Sequence, residues 1–286
     1  MRQKFILNAD DFGLSIHHNL AVLNGYKTGF LTSASLCTNI EDAFIDAINN
    51  IIPECKNLSL GLHLNIMEGK SLTNCPLLTD NKGYFKRSYC YLILNQNNKE
   101  LLAQIENEFK AQIEKAVKYG IRIDHIDSHV HTHAIPKIFK ITCKLAKKYN
   151  IDYVRTQEEK PYLVYPKCLS YKYIINLIKI VLLGFYTNKN KKFLKKQDLK
   201  TNDYIIGIGY TQMMDCDTIK SGLRKINDKN IIEAIIHPCQ YNDNKNNSHV
   251  IEFAITQNII LKDEISKLGF TFTNYNILKQ TVKLVK

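Results

Sequence analysis

Two adjacent carboxylates close a strand-like run near the start of this chain, Phe5-Ile6-Leu7-Asn8-Ala9-Asp10-Asp11-Phe12-Gly13. Side by side, each raises the cost of ionising the other, and a divalent cation removes that cost. Three more places set polar residues at the end of an apolar run. They are His63 after Leu58-Ser59-Leu60-Gly61-Leu62, the run His125-Ile126-Asp127-Ser128-His129-Val130-His131-Thr132-His133, and His237-Pro238 after Ile235-Ile236. A lone histidine such as His63 is more often a hydrogen-bonded structural residue than a ligand. The 125–133 run is different: if it stays extended, His125, Asp127, His129, His131 and His133 share one face. Four histidines and an aspartate on one face call for a cation or a proton-transfer role. His17, His18 and His249 fall on helical or loop surface patterns and take no role.

One carboxylate with two imidazoles supplies three ligands and leaves a coordination place for water, as in catalytic rather than structural sites. A cation so held acidifies that water and polarises a carbonyl oxygen. A second carboxylate can take the water's proton, and a histidine across the cleft can protonate a leaving amine. These are the parts needed for metal-assisted amide hydrolysis.

Strands and helices must alternate to position them. Strands are expected at 4–9, 32–38, 58–64, 123–127, 152–155, 204–209, 231–237 and 270–273. Helices are expected at 16–28, 41–49, 99–119, 136–149, 218–225 and 249–267. That order predicts an α/β fold with a mainly parallel sheet, closed or nearly closed into a barrel, with an open doubly wound sheet as the competitor. In either, the site gathers at the carboxyl ends of the strands, where all four polar clusters fall. Two segments break the rhythm. Residues 65–98 read as a long insertion over one mouth of the sheet, the kind of loop that shapes a cleft. Residues 162–202 hold an apolar stretch and then a lysine-rich connection. They read as a buried helix with a solvated link, or as a helix lying on a membrane surface.

The chain of 286 residues is long enough for one large α/β domain or two smaller ones. Much of its formal charge of +12 lies at 137–148 and 189–200, which reads either as a solvated face of a lysine-rich chain or as a basic face drawn to anionic substrate or headgroups. No nucleic-acid-binding module and no glycine-rich phosphate loop accompany it. Eight irregularly spaced cysteines, with no C-x-x-C pair, suggest reduced thiols and a cytoplasmic setting. The first apolar run stops at Asp10, too short for a signal peptide, and none reaches the roughly 18 residues that span a bilayer.

Asn8-Ala9-Asp10-Asp11-Phe12-Gly13, Gly61-Leu62-His63, His125-Ile126-Asp127-Ser128-His129-Val130-His131 and His237-Pro238 together resemble the YdjC-like carbohydrate deacetylases. That family includes chitooligosaccharide and hopanoid-biosynthesis-associated deacetylases. The resemblance covers nearly the whole chain, as one domain over 1–286. It implies a distorted (β/α) barrel with mainly parallel strands and long insertions over the carboxyl-end face. It also implies one divalent metal ion, zinc or magnesium, and an N-acetylated sugar as substrate. Asp11, His63 and His129 match the metal ligands, Asp10 the general base and His237 the general acid. Asp127 matches an orienting partner of a histidine, while His131, His133 and Arg155 fall to the substrate cleft or its support. The 162–202 segment, with Asp203-Tyr204-Ile205-Ile206-Gly207, is more similar to the hopanoid-type branch. That favours a glycolipid or lipid-linked sugar, with peripheral contact to an anionic membrane through 171–200 at the inner membrane face. The alternatives are a barrel-type metal phosphoesterase, which needs more than one metal, and a non-catalytic carbohydrate or membrane-surface binding protein. Oligomeric state is open.

Overall fold

The computed structural model describes residues 3–226, 231–241 and 247–283. The ends of the expected 1–286 domain therefore lie outside the described residues. Eight strands form one parallel sheet: β1 (Gln3–Phe12), β2 (Ser33–Leu36), β3 (Ser59–Leu64), β4 (His125–Ser128), β5 (Tyr153–Val154), β6 (Tyr204–Ile206), β7 (Ile231–Ile236) and β8 (Phe270–Phe272). The order is β5-β4-β3-β2-β1-β7-β6, with β8 added beside the first residues of β1. The sheet curls until its edges meet. Tyr153 and Lys200 form a parallel bridge, and the Ile205 N–H donates to the Glu158 carbonyl at 2.9 Å. A few bonds rather than a full ladder join β5 to β6, so the barrel is distorted, as expected.

Parallel strands need crossovers, and helices supply them. They are α1 (Ile16–Lys27), α2 (Glu41–Asp46), α3 (Tyr89–Leu94), α4 (Lys99–Lys118), α5 (Pro136–Lys148), α6 (Tyr171–Lys196), α7 (Cys216–Leu223), α8 (Ser248–Gln257), α9 (Ile259–Lys267) and α10 (Tyr275–Lys283). Side-chain caps start most of them. Ser15, Asn98, Ser170 and Asn247 each accept a first-turn N–H, and Asp215 with Thr218 forms a reciprocal capping box before α7. Strand side chains that point outward, such as Phe5, Leu7, Ala9 and Leu36, are fully buried under these helices. Those that point inward include the polar residues Asn8, Asp10, Ser35, His63, His125, Asp127 and Glu233, also buried. The barrel interior is thus a hydrogen-bonded polar core within an apolar shell.

The structure corrects several expectations. The first strand does not stop at Asp10; β1 continues through both aspartates to Phe12. The 129–133 segment is not extended. It turns tightly, with Val130 at φ 52° and His131 at φ 55°, so the five alternating positions do not share a face. The helix expected at 249–267 breaks at Asn258, whose extended backbone (ψ 93°) and side chain cap α9 through the Leu261 N–H. The apolar stretch and the lysine-rich connection of 162–202 are largely one helix, α6. Helices α3 and α10 were not foreseen. The first lies within the 65–98 insertion; the second brings Tyr275 to the base of the barrel interior, stacked on His125 at 4.2 Å.

Candidate active site

Successive residues of a strand point to opposite faces, so Asp10 and Asp11 should not reach the same site. A bulge lets them. The register of β1 against β2 shifts between Ala9 and Phe12, and Asp11 takes φ 63°, a left-handed conformation that aspartate tolerates better than most residues. Gly13 follows at φ 80°; a Cβ there would sit 2.6 Å from the Cys37 carbonyl oxygen. Both aspartates consequently line one cavity of about 420 Å³, together with His129, His131, His237 and His249. Tyr89 from the insertion, Lys179, Leu182 and Leu183 from α6, and Glu252 from α8 form further parts of its walls.

Beneath this cavity Asp11 meets two histidines. Its Oδ1 lies 2.8 Å from His129 Nδ1 and 3.3 Å from His63 Nε2. One donor atom from each of the three lies within 4.8 Å of the others, a set that could hold a metal ion. A carboxylate oxygen and two ring nitrogens are the donor types a zinc-like cation takes. The surrounding charges agree with that fit. Burial alone would raise the Asp11 carboxyl, but the His129 and His63 contacts hold it well below the usual carboxylate range, so it is an anion. Burial alone would lower His63; the neighbouring carboxylates of Asp127 and Asp10 instead push it up to about 10. The position between Asp11 and Asp127 calls for positive charge, which a protonated His63 or a cation can supply.

Asp127 fixes His63 from behind. Its Oδ1 accepts from His63 Nδ1 at 2.7 Å, which leaves Nε2 facing Asp11. The neighbouring strand must come close for this, and it does at Gly61. A Cβ on that residue would lie 2.2 Å from the His125 ring across the β3–β4 ladder. Deeper still, Arg155 is fully buried among three carboxylates. Its terminal nitrogens reach the two oxygens of Asp10 at 2.8 and 2.7 Å, Asp127 Oδ2 at 2.7 Å and Glu233 Oε1 at 2.7 Å. Tyr275 donates its hydroxyl to the other Glu233 oxygen at 2.7 Å. Burial would raise Asp10, yet Arg155 beside it keeps the carboxyl below its ordinary value.

On the opposite wall, Glu252 holds His237. The carboxylate is 1% exposed, accepts the His237 backbone N–H, and lies 3.2 Å from His237 Nδ1. Burial pulls His237 down, but this bond and the charge of Glu252 raise it to about 9, so the ring carries two protons at neutral pH. His249 Nδ1 sits 2.8 Å from the His237 carbonyl.

Of the residues singled out from sequence, Asp10, Asp11, His129, His131 and His237 line the cavity, and His63 and Asp127 stand directly beneath Asp11. His133 is turned away: it is buried against Ser128, Gln157 and the Arg155 carbonyl. Arg155, expected to bind a sugar hydroxyl or anionic group, is buried away from the cavity and instead pairs with Asp10, Asp127 and Glu233. His18 and His249 were read as surface residues, but His18 is buried and His249 lines the cavity. Sequence reasoning missed Glu233, Glu252 and Tyr275. Glu233 did leave a signal, a lone carboxylate inside the apolar run Ile231-Ile232-Glu233-Ala234-Ile235-Ile236.

Comparison with known proteins places the chain among described relatives. Carbohydrate deacetylases of Clostridium beijerinckii and Brevibacillus brevis are 36% and 38% identical to this chain over 149 residues. Each match covers 52% of this chain, and 58% and 57% of the two relatives, respectively, so it spans less than two thirds of either one. A solved structure from Enterococcus faecalis V583, described as a cellobiose-phosphate cleavage protein, shares the fold. Its TM-score is 0.76 at 24% identity, over 97% of this chain and 99% of that one. The model of one family, described as YdjC-like protein, matches residues 4–266 and so takes in every residue of the cavity. The chain belongs to the YdjC-like protein family.

Proposed function

We propose that this chain is a carbohydrate N-deacetylase. It hydrolyses the acetamide of an N-acetylated amino sugar, releasing acetate, with one divalent ion held by Asp11, His63 and His129. One observation carries the reading: the bulge at Asp11 turns that residue into the cavity lined by Asp10, His129 and His237, with His63 within reach from beneath to complete a three-donor set. The relatives named carbohydrate deacetylases support the same chemistry. When bound, the ion supplies Lewis acidity, polarising the amide carbonyl and acidifying water. Two imidazole donors favour zinc over magnesium.

The chain's own residues do the rest. Asp10 is ionised and accepts a proton from the attacking water at a carboxylate oxygen. Arg155 fixes both of its oxygens, so the base is oriented before substrate arrives. His237, charged because of Glu252, gives a proton to the departing nitrogen. His131 presents a neutral ring to the cleft, since burial lowers it to about 3.

The phosphoesterase alternative needs further metal sites. Two other clusters, Asp10-His63-Asp127 and His125-Asp127-Glu233, have donor atoms near one another. The Arg155 guanidinium already sits against Asp10, Asp127 and Glu233, and it repels a second cation there. We take the chain as one YdjC-like domain that works in the cytoplasm, a setting supported by its eight free cysteines.

The test is acetate release from a panel of N-acetylhexosamines, free and lipid-linked, after chelation and metal add-back. Metal-restored release from at least one supports the reading. Release that chelation leaves untouched, or none from any sugar, rejects it.

A further inference from the structure

We propose that α6 lies in the surface of an anionic lipid bilayer and holds the cavity mouth over a sugar carried by a lipid. The sugar half of this rests on the deacetylase reading; the docking half does not.

Helix α6 has two apolar faces. Tyr173, Asn176, Ile180, Leu183, Thr187, Asn190 and Leu194 recur every three or four residues and are buried against the barrel. Asn176 and Asn190 tie that face to the cavity rim, donating to the Gly209, Thr211 and Ala134 carbonyls at 3.3, 3.2 and 2.7 Å. On the other side Tyr171, Ile174, Ile178, Val181 and Phe185 recur at the same spacing and are 55–71% exposed. Just before the helix, Leu163, Tyr165 and Leu169 are 71–80% exposed. With Ile175, 49% exposed, that makes nine large apolar side chains in one stretch of 23 residues, 163–185, a patch rather than a scatter. The stripe runs about 21 Å along the helix.

Charge identifies the occupant. Helix α6 carries seven lysines and no acidic residue. Lys189, Lys192 and Lys196 continue the apolar stripe on the same face, one to three turns beyond Phe185. With Lys140 of α5 they line a groove that has no acidic residue on its walls. The two basic runs seen in the sequence thus meet in space. An apolar face that ends in lysines with no ion pair among the described residues matches a membrane interface: side chains enter the acyl boundary while ammonium groups meet lipid phosphates. A purely apolar partner would leave these lysines without counter-charge. No helix among the described residues is long and apolar enough to cross a membrane, so the contact is peripheral. The adjacent flank of α6, Lys179, Leu182 and Leu183, is a wall of the catalytic cavity. A helix lying on the bilayer therefore sets the cavity beside lipid headgroups.

The experiment is co-sedimentation of the full chain with phosphatidylcholine vesicles, with and without phosphatidylglycerol. The chain should sediment with the anionic vesicles, and salt should release it. Ile178→Glu with Val181→Glu should cut binding roughly tenfold or more, as should Lys189→Glu with Lys192→Glu and Lys196→Glu. All five positions are outside the catalytic cavity, so release of acetate from a free sugar should stay unchanged. Failure of wild-type binding overturns the proposal, as does equal binding by the variants. So does a wild-type dimer that the Ile178→Glu, Val181→Glu variant converts to monomer, which would assign the stripe to a second copy of the chain. Vesicle binding without acetate release from any sugar would reject the deacetylase reading and leave docking intact.

Discussion

Arg155 grips Asp10 through two terminal guanidinium nitrogens, at 2.8 and 2.7 Å, from a position with no access to solvent. The same guanidinium also pairs with Asp127 and Glu233. Stability and the orientation of Asp10 therefore pass through one side chain. Arg155→Gln leaves three buried carboxylates without their cation and should cost about 3–5 kcal/mol. Arg155→Lys keeps the charge but cannot hold both oxygens at once. It should recover part of the stability, measured by urea unfolding, and little of the turnover. Full turnover in Arg155→Lys would show that the two-point grip does not matter.

Asp10→Asn separates base from ligand set. Asp10 is not among the three donors around Asp11, so metal content should stay at the wild-type level. The rate of acetate release should fall by about 10² to 10⁴. Near-normal release would remove Asp10 from the reaction.

Glu252 keeps His237 charged, so the alkaline limb of activity should depend on it. As the proposed acid, His237 can donate only while protonated, and that fraction is lost as pH rises through its raised pKa. In Glu252→Gln the backbone N–H of His237 retains an acceptor, but the negative charge is gone. The pKa then drops and the alkaline limb of the kcat profile moves to lower pH. An unmoved limb would mean that His237 is not the acid.

Gly61→Ala tests the approach of β3 to β4. The new Cβ would overlap the His125 ring, which cannot retreat without breaking its stack on Tyr275. The expected loss is about 1–3 kcal/mol in denaturant unfolding. A variant as stable as wild type would show that the ring has room to move.

Much of the site was legible in the sequence because strand ends are marked by composition. An apolar run that stops at Asp10, His63 or His237 announces both the strand and the residue beyond it. The bulge at Asp11 was not legible, since nothing local distinguishes φ 63° from extended backbone at an aspartate. The same limit hid the turn at Val130 and His131, which separates His129 from His133. Glu252 and Tyr275 were invisible for another reason. Each lies on a helix whose register against the barrel comes only from tertiary packing, so their polar contacts carry no sequence spacing. Helix α6 was half read: its apolar stretch was seen, but two apolar faces on one helix blurred the periodicity that separates buried from exposed.

The central claim is that Asp11, His63 and His129 hold one ion that the reaction requires. Metal bound per chain should be measured by elemental analysis after chelation and reloading, alongside acetate release, in wild type, His63→Ala and His129→Ala. The expected result is one ion per chain in wild type, with metal and release lost together in both variants. Two or more ions per chain, or wild-type metal content in either variant, would contradict it.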